Sequence, residues 1–142
     1  MLAESLARAV VFAAVFAALY AAHMVADHWI QSQRQATCKA APGWAGRAAC
    51  AGHVVSYTLT AAAALGALVV FLGLPLPLWQ TVAGLALSAV SHFVIDRRVH
   101  LRRLADWLGK DPAWLDHGGG MYALDQSAHV GFLFIAALVV AA

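Results

Sequence analysis

Four stretches of this chain are each long and apolar enough to cross a lipid bilayer, and that limits the fold more than any motif. They cover about residues 9–30, 53–73, 77–96 and 121–142. A helix needs about 20 residues to cross a hydrocarbon core of about 30 Å. The sequence is 63% hydrophobic and 11% charged, against about 45–50% and about 25% in a soluble domain, so water is a poor solvent for it. Barrel strands would alternate with period two, and no such alternation occurs. The expected fold is therefore an all-α integral membrane protein, a single four-transmembrane-helix bundle over residues 1–142. Small residues at 83, 84, 86 and 88 (Ala83, Gly84, Ala86 and Ser88) suit close helix contacts in lipid. The N-terminal apolar run is too long for a signal-peptide core, and its first charge is Glu4. It is read as a retained helix.

Lys and Arg set the expected orientation. The segment 31–52 carries Arg34, Lys39 and Arg47, and the segment 97–120 carries Arg97, Arg98, Arg102, Arg103 and Lys110. The turn "GLPLPLW" (73–79) has no positive charge, and the N-terminal tail has only Arg8. Eight of the nine basic residues thus fall on one side. This predicts a multi-pass protein of the cell (inner) membrane with both ends outside and loops 31–52 and 97–120 in the cytoplasm. Within the second loop Leu101, Leu104, Ala105 and Leu108 recur at helical spacing, and Trp107 and Trp114 suit the headgroup level. An interfacial helix between the third and fourth spans is expected, followed by a turn opening at Asp111-Pro112.

Every span carries ionisable residues, although a buried Asp costs roughly 2.5–3.5 kcal/mol at a helix centre. They are His23 and Asp27, then His53, then His92 and Asp96, then Asp125 and His129. Each pair is spaced by four, which stacks both side chains on one helix face. Spans one and three run inward and carry theirs at the end, while two and four run outward and carry theirs at the beginning. All seven should fall in one layer near the cytoplasmic side. The pairs "HMVAD" (23–27) and "HFVID" (92–96) form a weak repeat, which would place them opposite each other about an axis along the membrane normal.

Four imidazoles and three carboxylates in one layer suit a divalent transition metal, one or two ions of zinc, iron or manganese. The expected ligands are His23, Asp27, His53, His92, Asp96, Asp125 and His129. One of Asp27, Asp96 and Asp125 would bridge two ions or act as a catalytic base, and Gln31 and Gln126 would donate behind them. Arg97 and Arg98 beside the mouth could hold a phosphate headgroup, although the inward charge bias also accounts for them. His28 and His117 are left open as further members of the site. Cys38 and Cys50 share one loop without zinc spacing and are read as free thiols. No GxSxG, P-loop, GxGxxG or HExxH is present, and Glu4 is the only Glu. The basic residues form no continuous face, which makes nucleic acid a poor partner.

The order "AHMVADHWIQ", a loop lysine at 39, His53, "HFVID" and "LDQSAH" resembles the small bacterial and phage membrane proteins of the domain of unknown function 3307. It is more distantly similar to inner-membrane proteins described as metal-dependent hydrolases. The resemblance supports the site and supplies no reaction. The expected function is a metal-dependent hydrolase of a lipid-linked or membrane-proximal substrate, with the lipid bilayer as its surroundings. The alternatives are a di-iron membrane oxidoreductase, an ion- or proton-translocating protein, and a non-enzymatic phage or bacterial membrane factor.

Overall fold

A computed structural model describes residues 1–142. The protein is all-helical, and four of its helices are long and apolar enough to cross a membrane. Helix α1 (Leu2–Val25) continues through a π-helical turn (Ala26–Ile30), so the first long helix ends at Ile30. Helix α2 (Gln33–Cys38) is short, α3 (Gly43–Leu72) and α4 (Leu78–Asp96) are long, α5 (Val99–Trp107) and α6 (Pro112–His117) are short, and α7 (Gly120–Ala141) is long.

The boundaries follow local chemistry. Ser32 caps α2 with a full capping box, its hydroxyl accepting from the Gln35 N–H while the Gln35 side chain accepts from the Ser32 N–H. Helix α3 ends at Gly73, which takes the left-handed conformation (φ 63°) and donates its N–H to the Val69 carbonyl. Pro75 and Pro77 then keep the chain extended until α4 begins. Asp111 caps α6 by accepting from the Ala113 N–H, with Pro112 in the first turn, as the sequence predicts. Between α4 and α5 the turn is made by Arg98, a non-glycine residue at φ 59°.

Helices α1 and α3 start well before their apolar runs. Residues 2–8 and 43–52 are helical, where the sequence reading placed a tail and a loop. Pro42 and the glycines read as loop markers, but Pro42 stands just outside the helix as its N-cap and Gly46 packs against the Ala41 carbonyl.

Helix α1 packs against α3 and α7, and α4 packs against the same two, so α1 and α4 lie across a ring from each other. The core at one end is dry: Val15, Leu19, Ala61, Leu65, Leu133, Ala136, Ala137 and Val140 form one buried cluster. The outward faces are apolar too, with Leu59 66%, Val70 76% and Phe71 82% exposed. Such continuous exposed apolar surface is foreign to a soluble monomer. At the other end the buried residues change character, and that end holds the candidate site.

Candidate metal centre

The four long helices bring all seven His and Asp residues of the predicted layer together. Helix α1 and its π turn supply His23 and Asp27, α3 supplies His53, α4 supplies His92 and Asp96, and α7 supplies Asp125 and His129. His23, His53, His92, Asp96, Asp125 and His129 are all buried, and the Asp27 side chain is only 5% exposed. The pairs on α1 and α4 face each other across the ring, as the short repeat predicts.

Four atoms converge most closely. His53 Nε2 lies 3.0 Å from His92 Nε2 and 3.2 Å from Asp27 Oδ1. Asp96 Oδ2 lies 3.6 Å from His53 Nε2 and 3.4 Å from His92 Nε2, and Asp27 Oδ1 is 3.6 Å from His92 Nε2. A tetrahedral ion with bonds of about 2.0–2.2 Å holds its ligand atoms about 3.3–3.6 Å apart. Three of the five separations, from 3.4 to 3.6 Å, match the edges of such a shell, while the His53–Asp27 contact at 3.2 Å and the His53–His92 hydrogen bond at 3.0 Å are tighter and would open slightly around an ion.

A second set adjoins the first. His129 Nε2 is 3.5 Å from Asp96 Oδ1 and 3.8 Å from Asp125 Oδ2. His23 Nε2 is 3.7 Å from Asp27 Oδ2, and its ring centre lies 4.7 Å from that of His129. Asp96 thus shows one oxygen to each set. Three ligand groupings result: His23, His92 and His129; Asp27, His53 and His92; and Asp96, Asp125 and His129.

A buried polar atom without a partner costs free energy, about 1–3 kcal/mol in proteins. Here His23 Nδ1 and Nε2, Asp27 Oδ1, Asp125 Oδ1 and His129 Nε2 are buried without a well-formed hydrogen bond. So many orphaned donors and acceptors in one layer fit a divalent cation, which would satisfy the inward-facing lone pairs together. One feature departs from common practice, in which a ligating imidazole donates its other N–H to a carboxylate or carbonyl. The Nδ1 atoms of His53 and His92 are also buried without a partner. Packing orients these rings instead. Tyr57 stacks on His92 at 4.1 Å and meets His23 edge-on at 5.9 Å, while its hydroxyl is tied to Ser88 by a short hydrogen bond.

The residues left open or placed behind the layer take separate positions. Gln126 Nε2 donates to Asp125 Oδ2 at 3.5 Å. Gln31 Nε2 is buried without a partner and makes no bond to Asp27. His28 is exposed, bonding Met24 O through Nδ1 and the Tyr122 hydroxyl at 2.9 Å through Nε2, so it stands outside the layer. His117 is exposed on α6 and is not drawn in. Arg98 is exposed at the α4–α5 turn. Arg97 turns its guanidinium to the first loop, Nη1 donating to Lys39 O at 2.5 Å and Nη2 to Ala41 O at 2.7 Å. Those two nitrogens hold backbone, not an open anion site. Arg102 bridges Asp116 and Asp106, tying α5 to α6, and the two carboxylates raise its pKa above the ordinary arginine value. Cys38 and Cys50 are both free.

Lys39 is the member the spacing did not place in the layer. It is 5% exposed, and its Nζ lies 2.7 Å from Asp96 Oδ1. Tyr57 also escaped notice, and Ser88 was read as a small contact residue rather than as its partner, although each lies four residues from a layer histidine, His53 and His92 respectively. The same i, i+4 rule that found the pairs could have found them.

Helices of this length and hydropathy, crossed at one end by a buried His/Asp layer, define a helical protein with a potential metal site. The family described as "Protein of unknown function (DUF3307)" matches residues 15–142, and the chain belongs to that family. No curated protein and no solved structure matches it.

Proposed function

We propose that this is an integral protein of the cell inner membrane that binds a divalent transition metal and hydrolyses a lipid-linked or membrane-proximal substrate. The observation that carries the reading is the convergence of His53 Nε2, His92 Nε2, Asp27 Oδ1 and Asp96 Oδ2, with three of their separations at 3.4–3.6 Å, the spacing of ligand atoms about an ion. These four residues would hold the ion, with His23, His129 and Asp125 beside them. A bound zinc, iron or manganese ion would polarise a phosphoryl or carbonyl oxygen and acidify a water molecule. Asp125, whose Oδ1 is buried without a partner, would accept that water's proton. Tyr57, Ser88 and the dry cluster below them exclude water from the far side. That packing gives an ion no polar route onward, which favours chemistry at the layer over transport through it.

The substrate class rests on position. A surface cavity of about 250 Å³ beside the end of α4 is lined by Arg47, Arg97 and His100 together with Phe93, Val94 and Val99. The Arg47 guanidinium beside apolar walls suits a phosphorylated lipid headgroup, Arg97 being held by the Lys39 and Ala41 carbonyls. The test is elemental analysis of protein purified in detergent without added metal, compared with His92→Ala. Stoichiometric transition metal in the native protein, falling at least tenfold in the variant, is expected. Metal-free native protein would sink the proposal, and redox-active iron with oxygen-dependent turnover would point to an oxidoreductase instead.

A further inference from the structure

The layer contains a cation of its own, and its position bears on how many ions the centre can take. Lys39 is buried, and its Nζ contacts Asp96 Oδ1 at 2.7 Å. That oxygen belongs to the second ligand set, 3.5 Å from His129 Nε2, whereas Asp96 Oδ2 faces His53 and His92. A metal bonded to Oδ1 at about 2.0–2.2 Å would lie within about 5 Å of the ammonium. Two such cations repel strongly in a dry interior.

Charge balance leads to the same result. Three buried carboxylates less one ammonium leave two negative charges, with the imidazoles neutral as ligands. One divalent ion cancels them, and a second would leave the layer with an excess of two positive charges. Buried net charge of that size is disfavoured.

The position of Lys39 is built by the surrounding backbone. The capping box of α2 starts the short helix that ends at Cys38, and the Lys39 N–H continues it by donating to Gln35 O at 2.9 Å. Arg97, the residue directly after Asp96, clamps the Lys39 and Ala41 carbonyls. The helix carrying one partner of the ion pair thus also fixes the loop carrying the other. Gly46 admits the Ala41 carbonyl, since a Cβ there would collide with it.

We infer that Lys39 fills the second cation position of the layer, so that the centre holds a single divalent ion between Asp27, His53, His92 and Asp96. This rests on the metal-centre reading above and fixes its nuclearity. Removing the ammonium frees Asp96 Oδ1, and the extra negative charge lets a second divalent ion enter together with a hydroxide.

The experiment is metal counting on detergent-purified protein loaded with manganese(II) and desalted. One ion per chain is expected in the native protein and in Lys39→Arg, and two in Lys39→Met. A native protein with two ions, or a folded Lys39→Met that stays at one, overturns the inference and leaves the metal centre standing. No bound ion in any of the three overturns both. Should Lys39→Met fail to fold, the manganese electron paramagnetic resonance spectrum of the native protein decides alone. An isolated-ion spectrum supports a single site, and an exchange-coupled pair overturns it.

Discussion

Asp96 faces an ammonium with one carboxylate oxygen and two imidazoles with the other, and no part of its side chain reaches solvent. A charge so placed is stabilising only with its partner present. Removing one member of a buried ion pair costs about 3–5 kcal/mol, because the other is left uncompensated. Lys39→Met is therefore expected to destabilise the protein by about that amount in chelator, where three carboxylates remain without a cation. Adding Asp96→Asn to Lys39→Met restores the original charge balance and should recover more than half of the loss. Unfolding of the four proteins of this cycle in detergent measures the coupling. Additive losses would mean that the 2.7 Å contact contributes nothing. The role of Lys39 was not legible from spacing, because a loop residue has no period to betray its direction. In the sequence it counted only towards the charge bias and the family resemblance. The seven layer residues were legible because burying an ionisable group is costly, and four-residue spacing on helices of alternating direction put them at one depth.

At the scale of the elements, the layer depends on how closely α4 approaches α7. Gly84 and Ser88 face inward at a four-residue spacing, whereas Ala83 and Ala86, small as they are, point outward. A Cβ at Gly84 would meet Val140 Cγ2 at 2.6 Å and the Ala136 carbonyl oxygen at 3.0 Å. Gly84→Leu should force the two helices apart, at about 1–3 kcal/mol for overpacking. His92 and Asp96 ride on α4, and Asp125 and His129 on α7, so metal occupancy should fall along with thermal stability. Gly66 lies on an exposed face where a Cβ meets nothing within 4 Å, and Gly66→Leu serves as the neutral control. If both variants kept full metal occupancy, close packing of these helices would not be what positions the ligands. Helix number and type could be read from the apolar runs, and their ends less well. Apolar length marks where a helix meets lipid, while Pro42 and Gly46 mark a start and a close contact that hydropathy does not see. The π turn at Ala26–Ile30, which carries Asp27, has no periodicity of its own within five residues. Ser32 and Gln35, by contrast, spell out a capping box that the sequence reading passed over.

At the scale of the whole molecule, the layer, Lys39 and Arg97 lie at one end of the four long helices and the dry cluster at the other. Four helices joined in series return the chain to the side where it began, so residues 1 and 142 should share a compartment. Basic residues near helix ends are retained in the cytoplasm, and eight of nine lie in the two segments that flank the layer. Alkaline phosphatase fused after Ala142 should therefore be active and green fluorescent protein at the same point dark, with the reverse for fusions within residues 109–111. The two readouts together constrain chemistry as well as topology. A layer with a sealed apolar floor would exchange water, and the proposed metal and substrate, only through its basic end. If the fusions place that end in the cytoplasm, the substrate headgroup must be available in the inner leaflet. If they place it outside, the proposed orientation fails, and the same donor shell would have to draw its metal and substrate from the other face.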